Sequence, residues 1–139
     1  MKRMLFFVFF ISVMQLSAST IIVNSVYDSE ENPGSFAAAA AIEDGLMNSL
    51  FDYGFIMFSA VNETGYTVEG AKDARYMIRI EFLEADFSVS YQLLATVNGT
   101  IINSGFVDIA DINGNSGLEE RKLYYLLGEE VAAKLKQFF

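Results

Sequence analysis

FSVSYQLLATVNGTIINSGFVDI, residues Phe87–Ile109, is the stretch on which the fold turns. Phe87, Val89, Tyr91, Leu93, Ala95 and Val97 alternate with Ser88, Ser90, Gln92 and Thr96. Successive side chains of a strand point to opposite faces, so this period of two sends one row to a core and the other toward water. Asn98-Gly99 follows at once. Asn-Gly is the strongest short hairpin signal, because a type I′ turn takes positive φ at both central residues. Thr100–Ile109 then returns as the antiparallel partner, with Gly105 as a candidate bulge.

Upstream, Ala74–Phe82 carries the same signature, with Tyr76, Ile78, Ile80 and Phe82 set against Met77, Arg79 and Glu81. Ile21–Val26 is a β-branched run that reads as a strand. Tyr27–Gly34 holds the chain's one proline and reads as a loop, after which Ser35 can cap a helix over about Phe36–Phe51. Ala37–Ala41 favours that helix, and Ala39, Ile42, Leu46 and Leu50 share one face. Gly54 is placed to take the left-handed conformation past its end. Phe55–Val61 is almost continuously apolar and is expected as a strand buried on both faces. Asn62–Lys72 is polar and reads as a loop or short helical turn.

Downstream, Ala110–Gly117 is a loop and about Leu118–Phe138 a helix. Leu123, Leu127, Val131 and Leu135 form its stripe, broadened by Tyr124, Ala132 and Phe138. Glu119 and Glu120 near its start and Lys134 and Lys136 near its end suit the helix dipole. The order β-α-β-β-β-β-α predicts an α+β fold. Two amphipathic helices must cover an apolar sheet surface, which gives a two-layer sandwich with a mixed sheet of about five strands. The two strands flanking the first helix are expected to be parallel.

The first eighteen residues are of another kind. Lys2 and Arg3 precede the apolar run Met4–Leu16, and Ser17-Ala18-Ser19 supplies small residues for signal peptidase. This is the three-part pattern of a secretory signal peptide over 1–18, too short for a membrane span. The remainder, 19–139, is expected to be a single domain, periplasmic or secreted, with no stable membrane insertion once the signal is cleaved. Cleavage removes two of the nine basic residues and none of the eighteen acidic ones, shifting the net charge from −9 to −11. So acidic a domain repels phosphate backbones, and no nucleic acid is expected as a partner. The sequence holds no Cys and no His. That excludes disulfides, thiolate nucleophiles, zinc–thiolate sites, and the commonest general base and transition-metal ligand.

The order of elements resembles small bacterial envelope domains: the LpoB activators of peptidoglycan synthases, the secretion protein CsgG, the N-terminal domain of TolB and the flagellar protein FlgT. The likeness rests on strand Ile21–Val26, the Leu-rich helix end before Gly54-Phe55, and the strand Asp73-Ala74-Arg75-Tyr76-Met77-Ile78-Arg79-Ile80. It continues through the hairpin Ser90–Gly99 and the closing Ala132-Ala133-Lys134-Leu135. Two departures stand out: there is no cysteine to be lipidated, and Glu81 stands where the group's first long strand is followed by glycine. The resemblance implies a periplasmic domain that works by contacting other proteins, with no catalytic residues to carry over.

Several residue groups are candidate sites. Glu81, Glu84 and Asp86 gather near one strand end, as a carboxylate-based hydrolase would need, but acid-rich surface turns are far commoner. Asp108 to Asn115 offers oxygen ligands beside Gly114, yet its spacing is too compressed for an EF-hand calcium loop. An Asx-rich turn accounts for it. There is no G-x-S-x-G, no S-x-x-K and no phosphate-loop glycine pattern. Asn62-Glu63-Thr64 and Asn98-Gly99-Thr100 match the glycosylation rule, the second doubling as the hairpin turn. The expectation is therefore no catalytic residue, no cofactor and no metal. Tyr124, Tyr125, Phe138 and Phe139 are the candidate partner-binding residues, as aromatics on or beyond the last helix. The leading functional expectation is a non-enzymatic module that binds an envelope protein. The alternative is a carrier of a small apolar or lipid ligand, with a cavity lined by Phe82, Tyr91 and Leu127.

Overall fold

The computed structural model describes residues 20–26, 33–59, 74–112 and 117–139. The expected signal peptide, most of the 27–34 loop, the 62–72 loop with its glycosylation motif, and residues 113–116 of the candidate calcium loop lie outside them. The elements are β1 (Thr20–Val26), α1 (Pro33–Asp52), β2 (Ile56–Ser59), β3 (Tyr76–Leu83), β4 (Ser88–Ala95), β5 (Ile101–Asp108) and α2 (Glu120–Leu135). The sheet order is β2-β1-β3-β4-β5. β1 runs parallel to both β2 and β3, while β3, β4 and β5 form an antiparallel meander. This is the expected α+β sandwich, a mixed five-stranded sheet with both helices on one face.

The inward rows meet the helices as the alternation requires. Ile21 and Val23 of β1, Ile78 and Ile80 of β3, Val89 and Leu93 of β4 and Val107 of β5 are all buried. Ile42, Leu46 and Leu50 of α1 and Leu127, Val131 and Leu135 of α2 cover them in one core. Full burial of each such side chain contributes about 1.5–3 kcal/mol. A polar tie joins α1 to the sheet, where the Ser25 hydroxyl donates to the Glu43 carboxylate.

The two helices touch through their backbones. A Cβ on Gly45 of α1 would stand 2.0 Å from the Tyr125 carbonyl oxygen, and one on Gly128 of α2 would stand 1.9 Å from that of Ile42. Only glycine fits at either point. Each glycine disfavours its own helix by about 1 kcal/mol relative to alanine, and the close crossing offsets that cost by letting two layers of side chains share one thin core. Past α2, a 3₁₀ turn (Lys136–Phe138) brings the chain end back to the sheet. Phe139 there packs on Phe55 and Tyr76, with ring centroids 4.7 and 5.2 Å apart.

Several local expectations are corrected. α1 begins at Pro33, so Ser35 lies in its first turn and does not cap it. Proline suits a first helical position, where no N–H partner is needed and φ is already set. β2 is an edge strand with Ile56 45% exposed, and so is not buried on both faces; β1 already has β3 on its other side. The hairpin is not a two-residue type I′ turn. Its loop is Thr96–Gly99, closed by Ala95 N–H to Thr100 O and Gly99 N–H to Ala95 O. Gly99 alone in the loop has positive φ, and the Asn98 side chain accepts from the Thr100 N–H. Val97 is consequently 90% exposed at the tip and not part of the inward row. The bulge falls at Ile102, where the register slips between Leu93 and Leu94. Gly105 instead faces Tyr91, whose hydroxyl would lie 2.6 Å from any Cβ there.

In an exposed helix, Gly→Ala stabilises by about 1 kcal/mol. Gly45→Ala and Gly128→Ala are expected to reverse that sign, each costing about 2 kcal/mol through overpacking. Urea unfolding of the two variants measures this directly, and a gain in stability in either would show that the helices do not meet there.

Candidate functional site

The structure separates the four aromatic candidates into two groups. Fourteen residues separate Tyr124 from Phe138, about 21 Å along a helix at 1.5 Å per residue, so they do not form one patch. Tyr124 belongs to a cluster with Phe82 and Phe87. Its ring stacks on Phe87 at 5.2 Å and meets the edge of Phe82 at 5.1 Å. Tyr125 lies beside the helix crossing, where its hydroxyl accepts from Asn48 at 3.4 Å and Lys122 sits over its ring. Phe139 closes the opposite end of the core against Phe55 and Tyr76, and Phe138 is half-buried beside it.

Tyr124 and Phe82 also wall a groove of about 500 Å³ between the first half of α1 and the first turns of α2. Its floor is small, made of Ala37, Ala40 and Ala41, and its rim carries Asp44, Glu84, Glu120 and Arg121. The wall depends on a strained residue. Phe87, after the 3₁₀ turn Glu84–Asp86, holds φ at 48°, the left-handed region that costs a non-glycine residue about 1–2 kcal/mol. Its stacking on Tyr124 and its edge-on contact with Phe82 retain it there. This conformation is the part of the groove that strand periodicity gives no signal for.

The groove's chemistry is modest. The Tyr124 hydroxyl donates to Glu120. Burial, then that hydrogen bond, then the negative charges of Glu120 and Glu84 push its pKa well above the ordinary phenol range. At neutral pH it is a fixed donor with no role as a base. Among the described residues no three or more Asp or Glu converge to hold a metal. Of the acids near the strand end, Glu84 lines the groove while Glu81 and Asp86 lie exposed outside it. Asp108 and Asp111 cap each other's turn: Asp108 accepts from the Ala110 N–H at 2.9 Å, and Asp111 from the Asp108 N–H at 3.0 Å. The cavity foreseen for an apolar ligand does not form as drawn. Tyr91 and Leu127 are buried in the packed core, and only Phe82 of the three lines the groove.

The sheet's other face is the second surface. Both described helices pack on the opposite side. The register aligns Ile22, Met77, Leu94 and Ile101 in one row across β1, β3, β4 and β5. Two rows along, Glu81, Ser90 and Phe106 align, with Phe106 66% exposed. β5 is the outer strand on that side, so one edge of its backbone has no strand partner among the described residues.

No family model and no curated protein matches the sequence. Solved structures do resemble the fold. The PelC dodecamer from Paraburkholderia phytofirmans aligns with TM-score 0.53 at 16% identity, over 85% of this chain and 87% of that one. A neuraminyllactose-binding hemagglutinin homolog from Helicobacter pylori aligns with TM-score 0.52 at 9% identity, over 87% and 82%. TolB from Acinetobacter baumannii, at TM-score 0.47 and 14% identity over 86% of this chain and 28% of that one, is too distant to carry an argument. These likenesses establish a shared fold. The finer likeness to LpoB, CsgG and FlgT is carried by sequence pattern alone.

Because the native state holds the Tyr124 proton more tightly than the unfolded chain does, its contribution to stability is complete below pH about 10 and is lost as pH rises beyond it. Tyr124→Phe is expected to flatten the fall in stability above pH 10 while leaving stability at pH 7 within about 1 kcal/mol. Urea midpoints measured from pH 7 to 11 decide this; an unchanged alkaline slope in Tyr124→Phe would contradict it.

Proposed function

We propose that this chain is a non-enzymatic protein-interaction module of the bacterial cell envelope, acting in the periplasm after export. The observation that carries the reading is the contrast between the two faces of the sheet. One face is filled by a helix-packed core. The other presents an aligned apolar row that ends at an exposed edge strand. Ile22, Met77 and Leu94 are half-buried in that row, Ile101 is 52% exposed at its edge, and the next row on the same face is the polar Asn24, Arg79, Gln92 and Ser104; apolar groups exposed along a strand edge favour association.

Three further observations support the reading. The absence of His and Cys removes the usual nucleophile and base chemistry. Among the described residues no helix is long and apolar enough to cross a membrane. The PelC structure is a dodecamer, so a chain of this fold can assemble through protein contacts. A cleaved signal over 1–18 would deliver the domain to the envelope, and an envelope protein is its partner on this reading.

Chemical cross-linking in intact cells, with the chain tagged at its C-terminus, tests the proposal. One envelope protein is expected in stoichiometric adduct with a chain whose N-terminus lies near Ser19. Recovery of lipid without protein, or of the chain with residues 1–18 intact in the cytoplasm, would overturn it.

A further inference from the structure

We infer that the outer edge of β5, which has no strand partner among the described residues, is the docking strand, and that it accepts an extended segment of a partner protein, apolar at one end and basic at the other. This rests on the interaction-module reading and adds to it the surface and the chemistry of the partner.

Exposed edge strands are templates for pairing, and proteins normally blunt them with lysine, proline, inward charge or a bulge. β5 has eight residues and carries no lysine, proline or inward charge. Its one charged residue, Asp108, stands at its very end, and its only irregularity is the bulge at Ile102. The opposite edge, β2, has only four residues and offers half the ladder. Along β5 three apolar side chains are exposed, Ile101 52%, Ile102 41% and Phe106 66%, with the polar row Arg79, Gln92 and Ser104 lying between Ile101 and Phe106. Ile101 also continues the Ile22–Met77–Leu94 row, so a strand added there would extend that row by one residue.

The distribution of charge along the edge selects the occupant. At the Ile101 end lie Val97, Ile101 and Ile102, with Arg75 two strands in from the edge. At the Asp108 end lie Asp108 and Asp111, and on the same end of the sheet Glu81, Glu84 and Asp86, all exposed. A second copy fits poorly. Antiparallel pairing about the strand centre would set each Asp108 against the apolar Ile101 end of its mate. Parallel pairing would set Asp108 against Asp108, and like charges directly opposite are destabilising. Two domains of net charge −11 also repel as wholes. A foreign strand with apolar residues over Ile101 and Ile102 and Lys or Arg near Asp108 satisfies both ends. The added ladder supplies affinity, and the alternate side chains and the charged end supply direction.

The probe is a ten-residue peptide of alternating valine and threonine bearing two lysines at one end, with a control bearing two glutamates instead; each is made with the charges at either terminus. Amide shifts of the isotopically labelled chain report the site. The lysine peptide is expected to shift the amides of Ile101–Asp108 and to bind about tenfold more tightly than the glutamate peptide at low salt, the gap narrowing as salt rises. The double variant Ile101→Lys with Phe106→Lys is expected to lower affinity for the lysine peptide about tenfold with the thermal midpoint unchanged. Equal binding of the two peptides, or shifts confined to the Phe82–Tyr124 groove, would overturn the assignment. So would a dimer in sedimentation that the double variant dissolves, since the occupant would then be a second copy. If the cellular adduct survives in the double variant, the edge assignment fails while the interaction-module reading stands. If the lysine peptide docks on β5 but no envelope protein is captured in cells, that reading fails and the edge chemistry remains.

Discussion

Gly45 and Gly128 face one another where α1 crosses α2, and the absence of two Cβ atoms lets the carbonyls of Tyr125 and Ile42 come into backbone contact range. The rest of the structure depends on that contact. With the helices so close, Ile42 and Leu46 from one and Leu127 and Val131 from the other reach the same inward rows of the sheet. A wider crossing would leave a gap between the helices, and interiors tolerate voids poorly. The glycines thus exchange some helix propensity for a dense core shared by all five strands.

The same constraint fixes where function can reside. Because both helices are gathered onto one face, the core is full there and the opposite face receives neither. Between the helices lies the groove walled by Phe82 and Tyr124, and its chemistry is a partly exposed phenol held protonated by partial burial and by the neighbouring Glu120 carboxylate. That arrangement orders a wall more readily than it moves a proton, since a base must have a pKa near the working pH. The apolar row and the β5 edge, by contrast, are what a recognition surface needs.

The order of elements and the two-layer sandwich were legible because alternation in Ala74–Phe82 and Phe87–Ala95 and the stripe from Leu123 to Leu135 each name a face without reference to the rest of the chain. Distances between elements were not legible. Periodicity shows that Gly45 and Gly128 lie within helices, and a glycine there hints at a packing reason, but nothing local says that a second backbone arrives at that point. The hairpin misled in the same way: Asn98-Gly99 carries the signal of a two-residue turn, yet the position of the strand ends required four, leaving Val97 exposed. Gly105 hinted at a bulge but answers to the ring of Tyr91 across the sheet. The aromatic candidates on or beyond α2 carry no signal of their spacing in space beyond the helical rise between them. Fourteen residues of helical rise put Tyr124 with Phe82 and Phe87 at one end and Phe138 with Phe139 at the other.

Residue-resolved amide hydrogen exchange tests the central claim most directly, that a backbone-tight helix pair closes one face while the β5 edge has no strand partner among the described residues. The account predicts that amides of residues 42–46 and 125–129 open only with global unfolding, while alternate amides of Ile101–Val107, those pointing away from β4, exchange orders of magnitude faster. Uniform protection along β5, or an early-opening helix crossing, would contradict it.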